Sequence, residues 1–284
     1  MQAIKRKRMH PLKRAVIIVF AVVFALAAVF AFFMICDAVA HNTARTVPNY
    51  PRQDLSAVLA KEEWSDEDYD LIYRQTGLTR AYFEGLDARP DEEFILRCQN
   101  DLFFEGEYEH DADTFGTAHD YFPDEYFAMV ELEPGDVLIS ASVHTMGWKN
   151  GHAALVVGGS SVLQAFGVGT VSDIVSPSWF RRAANFMVLR PKLEKSETNR
   201  VVSWALENMN GVEYSLFTGI FSPKDQTDDP RDTQCAHLVW QAYYACGYDI
   251  DSTGGPVVSP KNIANSDLFE VIQVNGFDLD TLWR

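Results

Sequence analysis

At 284 residues the chain has room for one large domain, or for one domain and a smaller companion. Apolar residues make up 47% and aromatics 13%, enough for a real core, which excludes global disorder. The net charge of −16 is unevenly placed: residues 1–36 hold six Lys/Arg and no Asp/Glu, leaving a body with 18 basic and 40 acidic side chains, a poor partner for nucleic acid or anionic membrane surfaces.

Lys5, Arg6, Lys7, Arg8, Lys13 and Arg14 precede an uncharged apolar run from Ala15 to Ile35. As a helix this run spans about 31 Å, close to the roughly 30 Å hydrocarbon core of a bilayer. The basic flank would keep the N-terminus cytoplasmic, so the body is expected outside the cytoplasm. The alternative is secretion after cleavage of a signal peptide, because Ala38-Val39-Ala40 fits a small-x-small cleavage site. The run exceeds the roughly 7–15 apolar residues of a signal peptide, which favours an uncleaved single-pass anchor. Phe33-Met34-Ile35 lacks the small residue expected before a lipidated cysteine at Cys36.

His41 to Asp54, with Pro48 and Pro51, reads as a linker. Short helices are expected from Asp54, from Ser65-Asp66-Glu67-Asp68 to near Gly77, after Thr79, and around Glu93–Leu96. Residues 41–129 are therefore read as an acidic helical lead-in or cap without chemistry of its own. The stretch His110 to Asp120 suggests a metal loop, but an EF-hand needs an oxygen ligand where Phe115 stands and a Glu where Phe122 stands. A solvated acidic loop is the expectation. Asp249–Gly254 fails in the same way, with Pro260 in the place of the Glu.

Leu132 to Ser140 reads as a turn and a strand, followed by strands at Gly151–Gly158 and Ser161–Phe166 joined by a short glycine turn. His152 and Gln164 are equidistant from Gly158, so a tight hairpin brings them within about one residue of register. Further on, Thr233 is a candidate N-cap for a helix carrying Cys235 in its first turn and ending at Gly247. A thiol there sits at the positive end of the helix dipole, where its pKa is expected to fall. Position alone leaves Cys235 divided between a reactive thiol and a small buried residue. Together the three suggest a nucleophile, a base and an orienting amide: Cys235 attacks, His152 takes and returns the proton, and Gln164 holds the imidazole. The Cys235 backbone N–H is a candidate oxyanion donor. His237 lies two residues from Cys235 on the same helix and points away from it. His144 is with His237 a rival for the base; it lies in a loop before the histidine strand, where it is a candidate cleft residue with Trp148.

These residues resemble the NlpC-like cysteine peptidases and amidases of the papain superfamily. The resemblance is carried by Gly211-Val212-Glu213-Tyr214 ahead of Gln234-Cys235-Ala236-His237-Leu238-Val239, and by Pro134-Gly135-Asp136, His152, Gly158-Gly159 and Gln164. The histidine block precedes the cysteine block, which resembles the permuted, YiiX-like branch. Val188-Leu189-Arg190-Pro191 and Ser259 to Ser266 agree with it. Gln164 stands where that branch often has Glu, and Ala236-His237 where Ser-Glu or Ser-Gly is common. The resemblance covers about residues 130–275. It implies an α+β permuted papain-like fold, a small antiparallel sheet packed on the catalytic-Cys helix, in a catalytic domain at 130–284; outside the resemblance, residues 1–40 are read as a cytoplasmic basic tail with a transmembrane helix or signal peptide, and 41–129 as the lead-in. The resemblance also implies that Tyr214 helps bind the substrate carbonyl; the residue's own context allows a core tyrosine equally well.

The expected function is a membrane-anchored hydrolase cleaving an amide bond, most naturally in cell-wall peptide, with neither cofactor nor metal. A thioesterase, lipid amidase or acyltransferase uses the same nucleophile, and apolar residues near Trp148, Phe166 and Trp179 suit an acyl chain. A binding module with an unreactive Cys235 is the third reading. Cys246 is expected to be a buried apolar residue, and a Cys98–Cys246 disulfide stays open.

Overall fold

One long apolar helix, α1 (Pro11–Asn42), leads into an α+β body in the computed structural model, which describes residues 11–112, 117–145 and 147–283. The side chains of α1 are exposed along its apolar length, and it is long and apolar enough to cross a membrane. Four short helices follow: α2 (Ser56–Leu59), α3 (Asp66–Thr76), α4 (Arg80–Glu84) and α5 (Glu92–Leu102). Local sequence explains α3 well. Ser65 and Asp68 form a capping box at its start, and Gly77 closes it at φ +72°.

The segment expected to be a linker is docked rather than free. The Arg45 guanidinium donates to the carbonyl oxygens of Asp101 (2.5 Å), Ala184 (2.8 Å) and Phe104 (3.2 Å), and to Asn275 Oδ1 (3.1 Å). It also lies over the rings of Phe122 and Phe127.

Next come β1 (Glu109–Ala112), β2 (Thr117–Tyr121), β3 (Val137–Ser140), β4 (Val143–Thr145), β5 (His152–Gly158), β6 (Ser161–Gln164), β7 (Asp173–Val175) and β8 (Phe186–Pro191). The chain ends with α6 (Lys195–Asn208), β9 (Glu213–Tyr214), β10 (Asp232–Thr233), α7 (Cys235–Ala245), α8 (Pro260–Ala264) and β11 (Phe269–Asn275). Six strands form an antiparallel sheet in the order β11-β8-β3-β5-β6-β7. A separate antiparallel ribbon, β1-β2-β4, lies beside it.

The acidic loop expected around His110–Asp120 is therefore a hairpin whose strands pair His110 with Asp120; residues 113–116 of that stretch lie outside the described residues. His144 likewise lies in a strand, opposite Ala118, rather than in a loop.

Alternation along the central strands divides the apolar residues between two cores. Val137, Ile139, Ala153 and Leu155 pack toward Val201 and Ala205 of α6 and Leu238 and Tyr243 of α7. Leu138, Ala154 and Val156 pack on the other face, toward Leu78, Tyr82 and Ile95 of the lead-in. The lead-in thus shares its core with the sheet. Cys98 belongs to this second core and Cys246 packs on the first, so the sheet separates them and all four cysteines are free thiols.

Candidate functional site

Cys235 opens α7, with Gln234 rather than Thr233 at the N-cap position. The Thr233 hydroxyl is turned to the His237 ring instead, at 2.9 Å from Nδ1, and His237 Nε2 donates to the Lys224 carbonyl at 2.7 Å. His237 is thereby a buried structural side chain. Gly247 follows the helix in the left-handed region at φ +92°, where it donates to the Tyr244 carbonyl.

α7 packs directly on β5, and the backbone N–H of Ala153 lies near enough to the Cys235 sulfur to act on its thiol. The sulfur therefore lies at the start of β5, beside the residue that follows His152. Burial pushes the thiol pKa up, against the pull of the N–H groups of Ala153, Ala236 and Cys235 itself. This reverses the expectation from helix position alone. The end of a helix favours the thiolate by a local field, but desolvation of the buried sulfur is the larger effect.

The His152–Gln164 contact forms as expected, Nε2 to Oε1 at 2.8 Å, although by a different register. Leu155 pairs with Leu163 and Gly158 with Ser161, with an irregularity at Val156–Gly158. Continued, that register sets Gln164 beside Ala154, so the long amide reaches His152 diagonally on the same face. Because Gln164 Oε1 accepts from Nε2–H, the ring's lone pair is left on Nδ1.

Around this pair stand Phe166 (5.1 Å between ring centres), Trp179 (5.2 Å) and Phe180 (5.4 Å, stacked). Burial among these rings lowers the His152 pKa to about 4; the Gln164 bond pulls it back only in part, and His119 adds to the lowering. The resting pair is thus a neutral thiol and a neutral imidazole. Among the described residues no hydrogen bond joins Cys235 Sγ to the His152 ring. Strand alternation is the reason: His152 turns toward Phe180, whereas Ala153 faces α7.

Tyr214 is half-buried on β9, paired in parallel with Thr233 two residues before the cysteine, and packs on the same core as Cys235. Trp148 is 80% exposed in the turn after β4, close to the end of α1, where Lys149 donates to the Thr43 carbonyl. His144 is fully buried and held by Asp120, Nε2 to Oδ2 at 3.1 Å. No described contact brings Trp148 or His144 to Cys235.

Sequence reasoning missed His119 and Phe180. His119 stacks on Phe166 at 4.8 Å and, with Phe166 and Trp179, walls a cavity of about 610 Å³ that also takes in Asp111, Val168 and Arg182. The signal for His119 was alternation along β2, which sends it and Tyr121 to one face and Asp120 to the other. Pro134-Gly135-Asp136 has a structural role. The Asp136 carboxylate takes Nε and Nη2 of Arg190 at 3.0 and 2.9 Å, and the Tyr243 hydroxyl donates to the Gly135 carbonyl.

Comparison with family models, with curated proteins and with solved structures gave no match, so the resemblance to NlpC-like peptidases rests on the residues of this chain alone.

Proposed function

We propose that this protein is a cysteine hydrolase of permuted papain-like type, held at a membrane by α1 with its body outside the cytoplasm, and cleaving an amide bond in cell-wall peptide. The observation that carries the reading is the buried His152–Gln164 bond, one residue along β5 from the N–H that acts on the Cys235 thiol.

In this reading the resting pair is neutral, and the imidazole swings toward the sulfur as substrate enters and displaces the Phe166–Trp179 wall. The thiol proton passes to Nδ1 as sulfur bonds to the carbonyl carbon. The oxyanion is met by the Cys235 N–H at the helix start. Collapse breaks the C–N bond, the amine leaves with the proton from Nδ1, and the same nitrogen then activates water to hydrolyse the thioester. Gln164 keeps Nε2 protonated throughout. Trp148, exposed beside the end of α1, suits the aromatic belt of a membrane–water interface better than a substrate cleft.

A second reading, an acyl-amide or thioester substrate, is favoured by the apolar loop after β9, where Phe217, Ile220 and Phe221 are 50%, 56% and 82% exposed. The test is full-length protein assayed on muropeptides, N-acyl amino acids and acyl thioesters, with Cys235→Ala as control. Cys235-dependent release of a peptide amine from muropeptides supports the peptidase. Turnover confined to acyl substrates replaces it with the second reading, and turnover that survives Cys235→Ala removes both.

A further inference from the structure

On the face of the β1-β2-β4 ribbon opposite His119, a second cluster of ionisable side chains gathers around one buried carboxylate. Asp120 is fully buried. Its Oδ1 lies 2.6 Å from His41 Nδ1 and 3.0 Å from His110 Nδ1, and its Oδ2 lies 3.1 Å from His144 Nε2. Asp37 closes the ring from the other side, with Oδ2 3.4 Å from His110 Nε2 and Oδ1 3.2 Å from His144 Nδ1. The His144 contact lacks hydrogen-bond geometry, so that buried nitrogen has no hydrogen-bond partner.

The five residues come from three places in the chain: the last turns of α1, the β1–β2 hairpin and β4. Cross-strand pairing of His110 with Asp120, and of His144 with Ala118, sets the ribbon's three members on one face. Two further contacts fix the junction. The Tyr108 hydroxyl donates to the His41 carbonyl at 2.6 Å. Gly147, at φ +80°, lies so close to α1 that a Cβ there would sit 2.4 Å from Cys36 Cβ.

We propose that His41, His110 and Asp120 form a binding site for a divalent transition-metal ion of the zinc type, with Asp37 and His144 as its outer ring. Their ligand atoms all lie within 4.8 Å of one another. A tetrahedral zinc with bonds of about 2.0–2.1 Å needs ligand separations of about 3.3 Å, so the 2.6 Å His41–Asp120 contact opens by about 0.7 Å and the 3.0 Å His110–Asp120 contact by about 0.3 Å.

The donors are two imidazole nitrogens and one carboxylate oxygen, a set that leaves a coordination position open. The outer ring has the pattern such sites use. The second nitrogen of His110 faces a carboxylate, Asp37, and the second oxygen of Asp120 faces an imidazole, His144. With neutral imidazoles the two carboxylates carry a charge that a divalent ion balances. Lys149 is the ammonium that feels Asp120, and its Nζ is committed to the Thr43 carbonyl and hydroxyl at 2.6 and 2.8 Å.

Bound there, the ion clips the end of α1 to the ribbon whose other face carries His119 and the cavity. Cleavage after Ala40 would remove Asp37 and the Cys36 contact that fix the end of α1, leaving His41 as the first residue with His110 and Asp120 still in the chain. The site does not depend on the hydrolase reading.

Full-length protein in detergent, stripped with chelator, is titrated with Co2+ and then Zn2+. The expected result is one ion per chain with visible d–d absorption and no thiolate charge-transfer band, the Co2+ being displaced by Zn2+, and a melting temperature raised by either metal. His110→Ala and His41→Gln, checked for wild-type circular dichroism, weaken binding by more than about tenfold, as loss of a ligand or of its outer partner does. Cys36→Ser and Cys235→Ala leave it unchanged. Absence of uptake overturns the proposal, as does uptake that survives both histidine variants or follows a cysteine.

Discussion

His152 is held as a neutral imidazole by the rings around it, and this makes the protein's stability depend on pH in a definite direction. Burial lowers its pKa from 6.5 to about 4. Between those values the unfolded chain binds a proton that the folded chain does not, so stability falls as the pH drops from 6.5 toward 4, and the contribution levels off below that. The full swing is about 3 kcal/mol. Urea unfolding of wild type and His152→Gln across this range is expected to show the wild type losing about that much more than the variant on acidification; parallel curves would mean that His152 is not buried neutral. His237, whose pKa is also lowered by burial, remains in both proteins and cancels in the comparison. Both members of the His152–Gln164 pair were legible, because a short hairpin fixes which residues can meet across it. Their register was not, because an irregularity at Val156–Gly158 shifts it. The thiol pKa of Cys235 was not legible either: its enclosure comes from α7 packing on a strand some eighty residues earlier in the chain.

Among the elements, local signals served where local physics decides. The capping box of Ser65 and Asp68 and the stop at Gly77 set α3 from within a dozen residues. Gly77 is also a tertiary contact: its carbonyl accepts from Val274 N–H at 2.9 Å, and a Cβ would lie 1.9 Å from the Val274 oxygen. Gly77→Ala is therefore expected to cost more than about 1 kcal/mol in denaturant unfolding, since both the left-handed backbone and the missing space oppose a side chain. A neutral result would place β11 further from α3. The β1–β2 hairpin was not legible as strands. Glu109-His110-Asp111-Ala112 shows no apolar alternation and all four residues are exposed; their pairing is set by the half-buried β2. The linker at residue 45 misled for a similar reason, because an arginine bonded to three carbonyls of distant segments carries no local pattern.

In the whole molecule, one sheet separates two kinds of support. α6 and α7 bring the cysteine to one face, and the lead-in helices cover the other, with the His152 aromatic pocket on their side. Beyond the sheet's edge, the ribbon that carries His119 on one face holds the Asp120 cluster on the other, joined to the end of α1. That cluster draws on positions from 37 to 144, a spread that no motif spacing reveals. The architecture brings Cys235 near the start of β5 while the His152 ring turns to the other face, with no hydrogen bond between them, so the central claim is that they act as a pair. The most direct measurement is iodoacetamide labelling of the full-length protein, mapped by mass spectrometry across pH in wild type, His152→Ala and Gln164→Ala. Cys235 is expected to be alkylated faster than the buried Cys98, with a rate that drops at least tenfold in His152→Ala and less in Gln164→Ala. Labelling of Cys235 that is unchanged when His152 is removed, or that never exceeds that of Cys98, would contradict it.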